Sequence, residues 1–96
     1  MKVLIVEDDF TSRKIMHSLL SQEGECDIAA NGKEAVNAFV ESLMNGNKYD
    51  LICLDIMMPE LNGHEVLENI RKVEDSNGIK LGDPHQTKVI MTTALG

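Results

Sequence analysis

Short apolar runs alternate with amphipathic stretches along the chain. The run KVLIV at 2–6 is continuous and rich in branched residues, which is typical of a strand buried on both faces. From Thr11 to Leu20, apolar residues recur at helical spacing. Asp9 or Thr11 can cap the start of this helix, and Gly24 can end it. The pattern predicts one buried strand followed by one amphipathic helix.

The same alternation continues to the end of the sequence. Further strands are predicted at 26–30, 51–55 and 88–93, a second helix at 35–43 ending near Gly46, and a third helix at 66–73. Strands that alternate with helices of about 10 to 15 residues indicate βαβ units with right-handed crossovers. The predicted fold class is therefore α/β, with a doubly wound parallel sheet covered on both faces.

The segment between the third helix and the fourth strand is unusually long and polar. It reads DSNGIKLGDPHQT at 75–87 and contains two glycines and a proline. We expect a solvent-exposed insertion there rather than a domain linker. Because the sequence has 96 residues and no internal repeat, we expect one small domain spanning 1–96.

The composition narrows the range of functions. The formal net charge is −7, from 16 acidic residues against nine Lys and Arg residues. This balance argues against non-specific binding to nucleic acid or to an anionic membrane, and it favours a cationic partner. No apolar run approaches the roughly 18 residues of a membrane span, and the first residues do not resemble a signal peptide. Cys26 and Cys53 fit small buried hydrophobes, so we expect a reducing cytoplasm and no disulfide.

Acidic and hydroxyl residues follow three of the predicted strands. Asp8 and Asp9 follow the first strand, Asp55 ends the third, and Thr92 and Thr93 end the fourth. In an open parallel sheet the functional crevice lies beyond the carboxyl ends of the strands. We therefore expect these side chains to converge on one rim of the sheet.

Converging carboxylates suggest metal-assisted chemistry on phosphorus. Three carboxylates close together repel one another, and Mg²⁺ suits them because it binds oxygen ligands and often phosphate as well. Alternatively, Asp8 and Asp9 only cap the first helix, whose N-terminal dipole favours acids. Asp55 has no basic neighbour along the chain, and its carboxylate can act as a nucleophile toward phosphorus.

Three segments of the chain resemble a known family. The segments VLIVEDDFTSRKIM, LICLDIMMPELNG and VIMTTA are similar, in order and spacing, to signature blocks of the response-regulator receiver domain. The resemblance implies a flavodoxin-like sheet with strand order 2-1-3-4-5. It also implies a two-component signalling protein rather than an enzyme, in which Asp55 accepts a phosphoryl group from a sensor histidine kinase or a phosphotransfer protein.

The resemblance further implies roles for particular residues. Asp8 and Asp9 match the acid pair of a Mg²⁺ site, with Asp9 and Asp55 as the direct ligands. Met57 matches the position whose backbone carbonyl binds the metal. Thr93 matches a hydroxyl that switches conformation when the phosphoryl group is present.

One feature of the family pattern has no counterpart in the sequence. Receiver domains are expected to have five βα units and a lysine after the fifth strand, whereas this sequence runs to Gly96, just beyond the fourth. Lys88 is no substitute, because it begins the fourth strand about 16 Å from Thr93. We therefore expect a receiver incomplete at its C-terminus, impaired in phosphotransfer, and able to form a homodimer through an open sheet edge.

Two other functions remain open from the sequence. An Mg²⁺-dependent aspartyl phosphohydrolase would use Asp55 as nucleophile, but such enzymes commonly have an acid two residues later, where this chain has Met57. A binding module that works without phosphorylation is the other alternative. The histidines lack the spacing of a metal site; they are His17, His64 and His85.

Overall fold

The computed structural model describes residues 1–58 and 60–92, in which four strands alternate with three helices. The strands are β1 (Lys2–Val6), β2 (Glu25–Ala29), β3 (Leu51–Asp55) and β4 (Lys88–Thr92), and the helices are α1 (Phe10–Leu20), α2 (Gly32–Met44) and α3 (Gly63–Ser76). The predicted order of elements is confirmed, and β2 is displaced by one residue from its predicted position. Within the described ranges, no helix is long and apolar enough to cross a membrane.

The four strands form one parallel sheet in the order β2-β1-β3-β4. This order confirms the doubly wound α/β fold for these strands. Val6 at the end of β1 lies opposite both Ala29 and Leu54. At the end of β3, Asp55 lies opposite Thr92. The carboxyl ends of β1, β3 and β4 therefore meet at one edge of the sheet.

Apolar side chains cover both faces of this sheet. On the face that packs against α2 and α3, the fully buried side chains include Leu4, Val6, Phe39, Ile52, Leu54, Val66 and Ile70. On the face under α1, the buried side chains are Val3, Ile5 and Cys53. Burying one such aliphatic side chain stabilises the fold by about 1.5 to 3 kcal/mol, so alternate residues of each strand hold the two helical layers. Cys53 is buried and Cys26 half-buried, and both are free thiols.

Each helix begins at a polar residue that caps its free backbone N–H groups. Asp9, Asn31 and Asn62 each accept a hydrogen bond from the backbone N–H three residues later. At α3 the cap is reciprocal, because the Glu65 side chain also accepts from the backbone N–H of Asn62. Of the two predicted caps for α1, the structure selects Asp9.

A buried polar network anchors the start of β4. Glu74 is 1% exposed and accepts from the guanidinium of Arg71 at 2.7 Å and from the backbone N–H of Thr87 at 2.8 Å. The Thr87 hydroxyl donates in turn to the backbone carbonyl of Tyr49 at 2.9 Å. The predicted solvent-exposed insertion at 75–87 is therefore wrong at both ends: α3 takes in the first two residues, and Thr87 is buried because it completes this network.

Tyr49 connects the amino ends of the strands. Its hydroxyl donates to a carboxylate oxygen of Asp27 at 2.7 Å, and the Lys2 ammonium lies 4.5 Å from its ring centroid. Burial is the main cause that raises the Tyr49 pKa, and the neighbouring Asp27 carboxylate raises it further. This end of the sheet is opposite the edge where the carboxylates collect.

Candidate functional site

Three carboxylates collect at the carboxyl edge of the sheet. Glu7, Asp8 and Asp55 each offer one oxygen, and these three oxygens all lie within 4.8 Å of one another. Glu7 continues the path of β1, because its backbone N–H donates to the carbonyl of Ala29 at 3.1 Å. The parallel pairing of β1 with β3 brings the residues after Val6 beside Asp55. We call Glu7, Asp8 and Asp55 the acid group.

Asp55 is fully buried and only partly satisfied. Its Oδ1 accepts a hydrogen bond from the backbone N–H of Met57 at 3.1 Å. Its Oδ2 is buried and has no hydrogen-bond partner among the described residues. Leaving a buried carboxylate oxygen without a partner is costly. The atom is therefore available to a cation or to an electrophile.

Glu7 is 2% exposed and is held in place by the backbone of Asp9, whose N–H donates to Glu7 Oε1 at 3.1 Å. Burial raises the pKa of Glu7 to about 7, against the lowering effect of that hydrogen bond, and the carboxyl of Asp55 raises it further. A metal-free acid group therefore retains a proton near neutral pH, and a bound cation would displace it.

Asp9 is not a member of the acid group. Its carboxylate accepts from the backbone N–H of Ser12 at 2.8 Å and caps α1, and this hydrogen bond lowers the Asp9 pKa. The structure thus brings Asp8 and Asp55 together. The third carboxylate beside them belongs to Glu7, whereas the sequence suggested Asp9. The sequence did hold a signal: the first acid of EDD directly follows a strand, whereas the third stands three residues before Ser12, the spacing of a cap.

The loop after β3 is packed tightly beneath Asp55. The backbone N–H of Gly63 donates to the carbonyl of Ile56 at 3.1 Å. A Cβ at Gly63 would lie 2.8 Å from the carbonyl oxygen of Asp55, too close for any side chain. Glycine at this position therefore lets the start of α3 press against the end of β3. Glu60 in the same loop adopts a left-handed conformation with φ of 67°.

Met57 and Thr92 lie beside Asp55 in the described part of the chain. The Met57 side chain is 70% exposed, and its predicted role as a carbonyl ligand stays a prediction. Thr92 accepts a hydrogen bond from the backbone N–H of Ile56 through its own carbonyl at 2.9 Å, which joins β4 to the loop. Thr93, the predicted switch hydroxyl, lies outside the described residues.

The geometry supports two kinds of chemistry. Hard oxygen ligands that repel one another in a partly buried site can hold a divalent cation. An ionised carboxylate with a free oxygen can also attack phosphorus. Both uses converge on Asp55, whose Oδ2 is unpartnered within the described ranges.

The fold and the acid group together define an α/β domain of the flavodoxin-like class. A family model described as the response regulator receiver domain matches residues 3–96. The chain therefore belongs to the response regulator receiver family and is a receiver domain of two-component signalling. This membership confirms the resemblance that its sequence blocks indicate.

Similar proteins include both transcriptional regulators and histidine kinases. The chain is 40% identical over 96 residues to a probable transcriptional regulator, ycf27, of Guillardia theta, covering 99% of this chain and 32% of that protein. It is 36% identical over 89 residues to the histidine kinase CKI1 of Arabidopsis thaliana, covering 82% of this chain and 8% of the kinase. The chain thus spans a third or less of these relatives.

Solved receiver domains have closely similar structures. The CKI1 receiver domain of Arabidopsis thaliana, complexed with Mg²⁺ and BeF₃⁻, aligns with a TM-score of 0.81 and 32% identity, covering 99% of this chain and 66% of that one. The receiver domain of Ssk1 from Saccharomyces cerevisiae, co-crystallised with the histidine phosphotransfer protein Ypd1, aligns with a TM-score of 0.72 and 34% identity, covering 97% of this chain and 61% of that one.

Proposed function

We propose that this protein accepts a phosphoryl group on Asp55 from a phosphohistidine, with Mg²⁺ bound at the acid group. The observation that carries the proposal is the buried Oδ2 of Asp55, which has no hydrogen-bond partner within the described ranges and lies among carboxylates. A structural carboxylate at this depth would be paired, because an unpaired one is costly. An oxygen that accepts a phosphoryl group must instead remain without a hydrogen-bond partner.

The residues of the acid group suit a hard divalent cation. Asp8 is exposed to solvent, whereas Asp55 is buried within the site. Glu7 lies beside both of these carboxylates. The backbone carbonyl of Met57 is a further proposed ligand. Mg²⁺ would neutralise charge on the carboxylates and on the incoming phosphoryl oxygens. Asp9 is left out of this ligand set because its carboxylate caps α1.

Phosphoryl transfer requires little covalent chemistry from the protein. An oxygen of Asp55 forms a bond to phosphorus while the bond from phosphorus to the histidine nitrogen breaks, and that electron pair returns to the imidazole. The hydrogen bond from the Met57 backbone to Oδ1 fixes the carboxylate and leaves Oδ2 to attack. Positioning of this kind accounts for much of the rate of such reactions.

The phosphodonor is proposed to be a sensor histidine kinase or a histidine phosphotransfer protein. The similar Ssk1 receiver was crystallised with such a phosphotransfer protein, and the similar CKI1 receiver with Mg²⁺ and BeF₃⁻. The two free thiols are in keeping with a reducing cytoplasm as the place of this reaction.

The proposal is tested with a small phosphodonor. Acetyl phosphate with Mg²⁺ should phosphorylate the protein, and mass mapping should place the label on Asp55. Asp55→Asn should abolish labelling, whereas Asp9→Asn, which keeps the helix cap, should leave it unchanged. Labelling that maps to Asp8, Asp9 or a histidine, or that persists in Asp55→Asn, would contradict the proposal.

A further inference from the structure

Four asparagines in the chain are each followed directly by glycine. Two of them, Asn31 and Asn62, are the N-caps of α2 and α3, and the other two, Asn45 and Asn77, are the C-caps of the same helices. Asparagine before glycine is chemically labile, because glycine has no Cβ to hinder the attack of its backbone nitrogen on the asparagine side chain. The four pairs are alike in sequence, so the structure determines which of them can react.

The reaction is spontaneous deamidation. The backbone nitrogen of the glycine forms a bond to Cγ of the asparagine, while the bond from Cγ to the side-chain nitrogen breaks. That nitrogen takes up the proton of the glycine N–H and leaves as ammonia. Water then opens the resulting succinimide ring at either carbonyl, which gives aspartate or isoaspartate. Because the asparagine side chain must turn toward the glycine nitrogen, hydrogen bonds that fix the side chain slow the reaction.

At the two N-caps, hydrogen bonds fix the asparagine side chain. Asn31 accepts from the backbone N–H of Glu34 and donates to the carboxylate of the same residue, both at 2.9 Å. Asn62 accepts from the backbone N–H of Glu65 at 3.1 Å. The glycine after each cap is buried in the first turn of its helix, so it cannot move toward the side chain unless that turn unwinds. Both pairs are therefore protected.

The two C-cap pairs differ from each other. The Asn77 amide donates to the backbone carbonyl of Val73 at 2.7 Å, which ties this side chain to α3. The Asn45 side chain is exposed and makes no hydrogen bond with any described residue. Gly46 is exposed too, and a Cβ there would have nothing within 4 Å. Its N–H donates to the carbonyl of Leu43 at 3.2 Å, and this bond opens when the end of α2 frays.

We propose that Asn45 is a site of spontaneous deamidation in the folded protein, with water as the co-reactant. The product adds a negative charge at the C-terminal end of α2. The helix dipole is already negative there, the last turn contains no basic residue, and Glu41 lies one turn earlier on the same side. The added charge is unfavourable, so deamidated protein is less stable than newly made protein.

Isoaspartate also lengthens the backbone in the turn between α2 and β3. In that turn the backbone N–H of Asn47 donates to the carbonyl of Ser42 at 3.0 Å, and the Asn47 carbonyl accepts from the Lys2 ammonium at 2.8 Å. The same ammonium lies over the ring of Tyr49. Isoaspartate at position 45 therefore disturbs the contacts at the amino ends of the strands, in addition to the effect of its charge.

Peptide mapping by mass spectrometry tests the proposal. The protein is incubated at mildly alkaline pH, in buffer and in guanidinium chloride, and isoaspartate is counted with a protein isoaspartyl methyltransferase. In buffer, Asn45 should deamidate about tenfold faster than Asn31, Asn62 or Asn77, because those pairs require local opening first. In guanidinium chloride the four rates should agree within about threefold, because no folded structure then protects any pair.

Variants isolate the effect of Asn45. Asn45→Gln should remove the fast reaction, because the longer side chain closes a ring far more slowly. Asn45→Asp carries the charge of the product and should unfold at a lower denaturant concentration than Asn45→Gln. Asn37→Asp adds the same charge at an exposed position in the middle of α2 and should leave the unfolding midpoint nearly unchanged. Fully deamidated wild-type protein, which contains isoaspartate as well, should unfold more easily than Asn45→Asp.

Two results would overturn the proposal. One is deamidation of Asn31, Asn62 or Asn77 in buffer as fast as that of Asn45. The other is an Asn45 that reacts in guanidinium chloride and not in buffer, which would mean that the folded protein protects this pair as well. Deamidated protein that is as stable as Asn45→Gln would overturn the destabilising effect of the reaction.

Discussion

At the scale of single residues, assembling the acid group is unfavourable mainly because the Glu7 carboxyl group becomes buried. Its pKa is raised to about 7 by burial and by the carboxyl of Asp55, against an ordinary value of 4.5. The folded protein therefore prefers the protonated form of Glu7 more strongly than the unfolded chain does. This preference makes the metal-free protein less stable as pH rises from 4.5 through about 7.

Glu7→Gln should remove this pH dependence and stabilise the metal-free protein. We expect the free energy of unfolding to rise by about 1 to 3 kcal/mol above the raised pKa and to change little below 4.5. Gln keeps an oxygen to accept from the backbone N–H of Asp9. Urea unfolding in chelator across this pH range measures the effect. A Glu7→Gln variant that is less stable than the wild type above about pH 7 would contradict the raised pKa of Glu7.

Asp8 and Asp9 are neighbours in sequence but have separable roles. Asp8→Asn should weaken Mg²⁺ binding and leave stability in chelator unchanged or higher, because a repelling charge is lost. Asp9→Ala should cost about 1 kcal/mol through loss of the α1 cap, and Asp9→Asn, which still caps, should cost little. Titration with Mg²⁺ together with urea unfolding separates the two effects. Weaker Mg²⁺ binding in Asp9→Asn than in Asp8→Asn would show that Asp9 is a ligand.

At the scale of elements, the junction of β3 with α3 determines the position of Asp55. Gly63→Ala would place a Cβ 2.8 Å from the Asp55 carbonyl oxygen, so the end of β3 or the start of α3 must move. We expect a loss of about 1 to 3 kcal/mol and markedly slower labelling of Asp55 by acetyl phosphate.

Gly46→Ala is the matched control for that substitution. Gly46 has a φ of 70° with open space around it, so alanine there is strained by about 1 kcal/mol at the end of α2, far from the acid group. It should lower stability without slowing the labelling of Asp55. Equal slowing by both substitutions would mean that stability alone limits the reaction.

The sequence predicted elements well where a local pattern determines them. Continuous apolar runs located β1 and β3, and a residue able to cap was correctly proposed at Asp9. Glu7 was not singled out from the sequence, because three successive acids look alike until the strand and the cap are positioned. The burial of Thr87 was also missed, because its partners Glu74 and Tyr49 are distant in sequence and a polar segment gives no sign of them.

At the scale of the whole molecule, β4 is bonded to β3 and lies at the end of the sheet in the described ranges. Ile90 in its centre is 52% exposed. An exposed strand edge with apolar residues favours pairing with another chain. The homodimer expected from the sequence stays a prediction.

Sedimentation over a range of protein concentrations tests this prediction. We expect reversible dimerisation that Ile90→Lys weakens, because lysine on an exposed strand resists pairing. Lys33→Glu serves as the control, because Lys33 is an exposed residue of α2 rather than of β4. This substitution should leave association unchanged. A monomer at every concentration would contradict the prediction.

The position of Tyr49 determines what optical methods can detect in this protein. It is the single tyrosine of a chain without tryptophan, so intrinsic ultraviolet signals report the amino ends of the strands rather than the acid group. Its raised pKa keeps the phenol neutral in the folded state at alkaline pH, and the absorbance of ionised phenol will therefore mark unfolding. A change in tyrosine fluorescence on adding Mg²⁺ or BeF₃⁻ would therefore report a structural change that extends from the acid group to the opposite edge of the sheet.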